Sequence, residues 1–128
     1  MTDHRHFTPE EARDLLPELR KRLTEIRRIY IELNGIGFDV YHGKYRPGYH
    51  PDTLEAYPKL YHRFLHLVRQ ILDSGIQIKS IEQGLVDFPA VRANGERVLL
   101  CWQLGEPDIL YWHGMHDGFK GRQPIESF

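Results

Sequence analysis

Two histidines and an aspartate lie within five residues of one another near the end of the chain, in the aromatic stretch LYWHGMHDGF at 110–119. With a glutamate shortly upstream, this stretch offers four candidate ligands for a divalent transition metal: Glu106, His113, His116 and Asp117. Zinc, iron and nickel accept such mixed sets of imidazole and carboxylate ligands. However, His113 and His116 flank a glycine at a predicted strand end, so their spacing does not fix whether the two rings converge. A metal site is therefore the alternative hypothesis, and a structural corner with an exposed turn is favoured.

A second polar pair is predicted to be structural. Asp87 interrupts the apolar sequence LVDFP, and Arg122 stands in the turn-rich sequence GFKGR. A carboxylate buried in a strand needs hydrogen-bond donors, and a planar guanidinium can supply two of them at once. The sequence therefore predicts that Arg122 forms an ion pair with Asp87, or with Glu106, and so holds the C-terminal tail on the sheet. A catalytic dyad is the less favoured interpretation.

Length and composition indicate one domain over residues 1–128. The 17 basic side chains nearly balance the 18 acidic ones, so no overall field attracts nucleic acid or a membrane, and binding to nucleic acid is unlikely. The one cysteine, Cys101, excludes an intramolecular disulfide and is predicted to be a small buried hydrophobic residue. The N-terminus lacks the layout of a signal peptide and no apolar run approaches the ~18 residues of a membrane span, so a cytoplasmic protein is expected.

Two long amphipathic helices are predicted. Thr8-Pro9-Glu10-Glu11 is a capping-box sequence that begins a helix over 7–34, which Asn34-Gly35 ends. Pro17 removes one helical hydrogen bond, so we expect a kink or a short helix followed by a longer one. The second helix is predicted over 53–75, with Pro58 as a possible first turn. Together they form an antiparallel hairpin that is long for this chain, and self-association is one way to cover its apolar surface.

After residue 75 the apolar pattern changes to alternation, which is typical of strands. Strands at 85–91 and 97–103 are joined through Asn94-Gly95, a strong hairpin signal, and a third strand follows at 109–112. A short strand at 76–78 is an option, and 114–128 is predicted to be a tail. The fold class is therefore α+β: a long antiparallel helical hairpin packed on a small three-stranded antiparallel meander at 76–113.

The segment at 35–52 is rich in glycine and carries a tyrosine at every fourth position from 41 to 49. A flexible loop is the favoured interpretation, and a partner-contacting loop is the alternative, because tyrosine gives large contact area at low entropic cost. The candidate partner-binding residues are Phe38, Tyr41, Tyr45, Tyr49, Trp112 and Phe119.

Five sequence blocks resemble those of an uncharacterised family of small prokaryotic proteins, a domain of unknown function. They are FTPEEARDLLPEL at 7–19, GLVDFPA at 84–90, LCWQLGE at 100–106, YWH at 111–113 and DGFKGRQP at 117–124. The resemblance implies a charged helical continuation between the helices, from which the tyrosine-rich loop departs. It implies no activity, but it singles out the polar positions Asp87, Glu106, His113, Asp117 and Arg122.

The sequence favours a non-enzymatic interaction module without a cofactor. Such a protein associates with itself and promotes oligomer or filament assembly of a larger partner protein or enzyme. The basis is the surplus of apolar helical surface together with the absence of any phosphate-loop or nucleophile-elbow motif. The alternative is a metal-binding protein or a small metal-dependent enzyme.

Overall fold

A computed structural model describes residues 5–49 and 58–128 of the chain. Two helices, α1 (Pro9–Gly35) and α2 (Lys59–Asp73), share one apolar core with an antiparallel sheet of five strands. The α+β class is therefore confirmed. Within these described ranges, no helix combines the length and the apolar character that crossing a membrane requires.

The capping box at the start of α1 forms as predicted. The Thr8 hydroxyl accepts from the backbone N–H of Glu11 at 3.1 Å, and the Glu11 carboxylate accepts from the Thr8 N–H at 2.9 Å. Pro17 lies inside α1, which continues through it as one helix and is not divided into two. The predicted apolar stripe is buried within the subunit except at Tyr30, which is half-buried, and Ile29 is buried in addition. The buried residues of α1 are Ala12, Leu16, Leu19, Leu23, Ile26, Ile29 and Leu33.

Helix α2 begins at Lys59, directly after Pro58. The first residues of the predicted second helix, 53–57, lie outside the described residues. Its buried side chains, which face α1 and the sheet, are Tyr61, Phe64, Leu67 and Ile71.

The predicted three-stranded meander is the middle of a larger sheet. Strands β4 (Leu85–Val91), β5 (Arg97–Gln103) and β6 (Tyr111–Gly114) are flanked by β3 (Gln77–Ser80) and β7 (Gln123–Pro124), in the order β3-β4-β5-β6-β7. The optional strand at 76–78 thus becomes β3. The tail supplies β7 because it turns back through a 3₁₀ turn at Phe119–Gly121, and its proline is tolerated at a sheet edge.

The two faces of the sheet differ in what they cover. Side chains alternate between faces along a strand, so Val86, Phe88 and Ala90 on β4 join the core beneath the helices. The same face of β5 contributes Val98, Leu100 and Trp102. The opposite face, here called the outer face, carries Asp87, Leu99, Cys101 and His113, which are buried without belonging to that core.

The linker between the helices, predicted to be a flexible loop, contains two short strands. Strands β1 (Phe38–Asp39) and β2 (Lys44–Tyr45) pair as a small antiparallel hairpin. The Tyr61 hydroxyl donates to the Val40 carbonyl at 3.2 Å, which ties this hairpin to α2.

Candidate functional site

Three side chains that could bind a metal meet on the outer face. Asp87 on β4 lies opposite Cys101 on β5. His113 on β6 lies opposite Leu99, which is two residues before Cys101 on the same face of β5. One ligand atom from each of Asp87, Cys101 and His113 lies within 4.8 Å of the other two. The three residues, here called the outer-face cluster, are 2 %, 1 % and 3 % exposed. Antiparallel pairing therefore brings a carboxylate, a thiol and an imidazole together in a buried position.

The hydrogen bonds of His113 set which ring nitrogen holds a lone pair. Nδ1 lies 2.8 Å from the Gly114 carbonyl, which can only accept, so Nδ1 carries the hydrogen. Nε2 lies 3.2 Å from Oδ1 of Asp87. In a neutral imidazole this Nε2 has a lone pair that faces a carboxylate, and two acceptors repel each other unless a cation lies between them. Either a proton shared by Nε2 and Asp87 or a metal ion can lie there, and metal-binding histidines commonly donate their second N–H to a carbonyl in this way.

The thiol of Cys101 is protonated at neutral pH. Its pKa is raised to about 12, mainly by burial and in part by the negative charge of Asp87, while the nearby Arg122 guanidinium opposes the change. Nucleophilic cysteines need the reverse, a lowered pKa. A bound cation deprotonates a thiol through its own charge, so the environment of Cys101 fits metal coordination better than nucleophilic catalysis.

Arg122 pairs with Glu106 and not with Asp87. Its Nη2 donates to Oε1 of Glu106 at 2.7 Å and to the Cys101 carbonyl at 3.2 Å. The guanidinium is stacked between two rings, 4.0 Å from the centroid of Tyr111 and 4.5 Å from that of Phe119. The ion pair therefore holds the tail on the sheet as predicted, while the predicted role of Asp87 in it passes to Glu106 and Asp87 bonds to His113 instead.

A cavity of about 270 Å³ lies above the outer-face cluster. The cluster forms its floor, and its walls include Lys79, His116 and Phe119. Three protein ligands beneath such a cavity leave one coordination position for water or a substrate, which is the arrangement of catalytic zinc sites.

The side chain of Asp117 holds together the loop at 114–121, which lies at one side of this cavity. Its Oδ2 accepts from the Gly114 N–H at 3.2 Å. A Cβ at Gly114 or at Gly121 would overlap the Asp117 side chain. Both positions must therefore be glycine for the loop to pack this closely.

Of the four predicted metal ligands, the structure places only His113 in the cluster. Glu106 binds Arg122, Asp117 holds the loop, and His116 is exposed in the cavity wall. Cys101 was predicted to be a buried hydrophobic residue, and its role as a candidate ligand was missed. A partial signal was available, because pairing the predicted strand ends 91 and 97, as the structure does, places residue 87 opposite residue 101.

The residues predicted to contact a partner fall into two groups. Phe38 and Trp112 are 1 % and 8 % exposed and belong to the core, so they are not surface contacts. Tyr45 is half-buried with its ring centroid 5.1 Å from that of Phe38. Partner contact stays a prediction for the exposed residues Tyr41, Tyr49 and Phe119.

A family model described as an uncharacterised conserved protein, DUF2203, matches residues 5–125. This range includes every helix and strand from α1 to β7. Neither a search of curated proteins nor a search of solved structures gave a significant match.

Proposed function

The chain belongs to the DUF2203 family of uncharacterised conserved proteins, and we propose that it is a metal-binding protein. In this proposal Asp87, Cys101 and His113 hold one divalent transition-metal ion beneath the cavity on the outer face. The observation that carries the proposal is the geometry of His113. Its Nδ1 is committed to a carbonyl, while its Nε2 faces a carboxylate beside a thiol.

The ligand set favours zinc among the common ions. One thiolate, one imidazole and one carboxylate combine a soft, a borderline and a hard donor, a mixture that zinc accepts in tetrahedral geometry. Magnesium and calcium prefer oxygen ligands alone. A zinc ion held by these three side chains would keep a coordination position for water, and the chemistry that it would supply is metal-assisted hydrolysis or hydration.

Zinc binding to variants of the full chain tests this proposal. Metal-free protein is titrated with zinc in competition with a coloured chelator, which gives stoichiometry and affinity. We expect one zinc per chain, and at least ~100-fold weaker binding in Asp87→Asn and in His113→Gln, since even residues that only orient ligands contribute 10- to 100-fold. The matched control is His116→Gln, which removes an exposed imidazole from the same cavity and should bind zinc as the wild type does. Equal affinity in all four proteins would contradict the proposal.

A second candidate function is self-association, and one apolar surface favours it. Leu65 and Leu72 on α2 are 44 % and 46 % exposed. Leu72 borders a groove of about 280 Å³ whose walls include Tyr41, Val68 and Ile78. An exposed apolar patch of this kind is a common feature of protein interfaces. The support is narrower than the sequence suggested, because the main stripe of α1 is covered by its own subunit.

Light scattering over a range of concentrations tests self-association. We expect a dimer for the wild type, a monomer for Leu72→Lys, and a dimer for the control Val91→Lys, whose side chain is 41 % exposed at the end of β4. A wild type that is monomeric at every concentration would remove this candidate. Assembly of a larger partner stays a separate prediction.

A further inference from the structure

A second recess lies on the same side of the sheet as the proposed metal centre. It encloses about 250 Å³, and its walls include the basic side chains of Arg5, His6 and Arg97. Within residues 5–49 and 58–128, no acidic side chain lines it. Neither His6 nor Arg97 has an ion-pair partner in this part of the chain. The guanidinium groups of Arg5 and Arg97 therefore bring positive charge to the recess, and Arg97 has no ion-pair partner within the described residues to neutralise it.

The recess and the cavity above the cluster are neighbours. Arg97 begins β5 and shares the outer face with Leu99 and Cys101, because side chains alternate along the strand. Met115 lines both the recess and the cavity. The backbone of Arg97 lies ~14 Å from that of Cys101, because four residues of extended chain separate them. The side chain of Arg97 can reach across part of that distance. One small molecule can therefore reach both places.

We infer that the ligand of this protein is a small molecule with a terminal phosphate, held in the recess by Arg5, His6 and Arg97 while its other end meets the metal ion. Guanidinium groups bind phosphate oxygens with paired, charge-assisted hydrogen bonds. Two guanidinium groups around one recess fit a dianion better than the single charge of a carboxylate, and the imidazole of His6 adds a further hydrogen-bonding group. The position of the ligand's reacting end rests on the proposed metal centre. Binding of its phosphate rests on the recess alone.

Binding of inorganic phosphate to metal-free protein tests the recess by itself. Calorimetry at low salt should show phosphate binding that weakens at least tenfold in Arg97→Gln, with Arg5→Gln as the second variant. The matched control is Arg69→Gln on α2, which removes the same charge from a side chain that is 76 % exposed and lies outside the recess. Thermal unfolding of each variant shows that it is folded. Equal phosphate binding in wild type and both recess variants would overturn the inference, and so would binding of acetate without binding of phosphate.

A paired comparison tests whether one molecule spans both places. Propanohydroxamate chelates zinc, and 3-phosphonopropanohydroxamate adds a phosphonate at its far end. In zinc-loaded protein we expect the phosphonate compound to bind at least tenfold more tightly, and Arg97→Gln to remove that gain while Arg69→Gln preserves it. Equal affinity of the two compounds would overturn the spanning arrangement. If zinc does not bind in the absence of phosphate while phosphate still binds through Arg97, the metal centre is rejected and the phosphate recess is retained.

Discussion

Replacing Cys101 by serine should separate metal binding from folding. The side chain is 1 % exposed and changes by one atom, from sulfur to oxygen. A buried hydroxyl beside the Asp87 carboxylate can donate to it, so the metal-free variant should lose no more than about 1 kcal/mol of unfolding free energy. Serine is a poor zinc ligand because its hydroxyl stays protonated near neutral pH, so the affinity for zinc should fall at least ~100-fold.

Because the variant binds zinc more weakly, adding zinc should raise its Tm less than that of the wild type. At a free zinc concentration 100 times the wild-type Kd, binding stabilises the wild type by about 2.7 kcal/mol. For a chain of 128 residues, the unfolding entropy is about 0.27 kcal/mol/K, so the Tm should rise by ~10 °C. The same zinc concentration only equals the Kd of a variant weakened 100-fold, and the gain of about 0.4 kcal/mol raises its Tm by less than ~2 °C.

Thermal unfolding followed by circular dichroism, with and without zinc, measures both shifts on the same samples. A second titration with magnesium checks that the shift is specific for a metal that binds sulfur. If Cys101→Ser and the wild type show the same shift with zinc, the thiol is not a ligand and the reasoning fails. If the metal-free variant is unfolded, Cys101→Ala provides the same comparison without a new polar group.

Three further substitutions probe the parts that hold the site and the core. Gly114→Ala should cost about 0.5–1.5 kcal/mol in a urea unfolding titration, because the new methyl group displaces the exposed Asp117 carboxylate and breaks its hydrogen bond to the Gly114 N–H. Glu25→Gln should lower the Tm near neutral pH but not at strongly acidic pH. Its arginine partners on both helices hold the pKa of the Glu25 carboxyl below its usual range, so the stabilisation exists above the ordinary glutamate pKa and is lost as the pH falls through the lowered one. Thr8→Ala should cost about 1 kcal/mol through loss of the helix cap, whereas Thr24→Ala, within α1, should not; equal effects of the two would contradict the capping argument.

Local signals in the sequence predict most of the fold. The capping box marks where α1 begins, and the Asn94-Gly95 pair marks the hairpin between β4 and β5, although the observed register closes over a three-residue turn at 93–95. Pro17 misleads because tertiary packing retains the helix through it. The edge strands are harder to predict because they are short: β3 was indicated only as an option at 76–78, and the two residues of β7 were predicted to be part of a tail.

The candidate site was only partly predictable for a related reason. The close spacing of His113, His116 and Asp117 along the chain made them candidate ligands, but the residues that converge come from three strands. Cys101 was interpreted through its apolar neighbours, which face the helices, although alternation places its own side chain on the outer face with Asp87. Proximity on a sheet follows the register between strands, which local sequence patterns do not specify.

X-ray absorption at the zinc edge of the loaded wild-type protein tests the central claim most directly. The account predicts one sulfur neighbour at ~2.3 Å, with nitrogen and oxygen neighbours at ~2.0–2.2 Å. The sulfur contribution should disappear in Cys101→Ser and persist in His116→Gln. A spectrum with nitrogen and oxygen neighbours alone in the wild type would contradict a centre built from Asp87, Cys101 and His113.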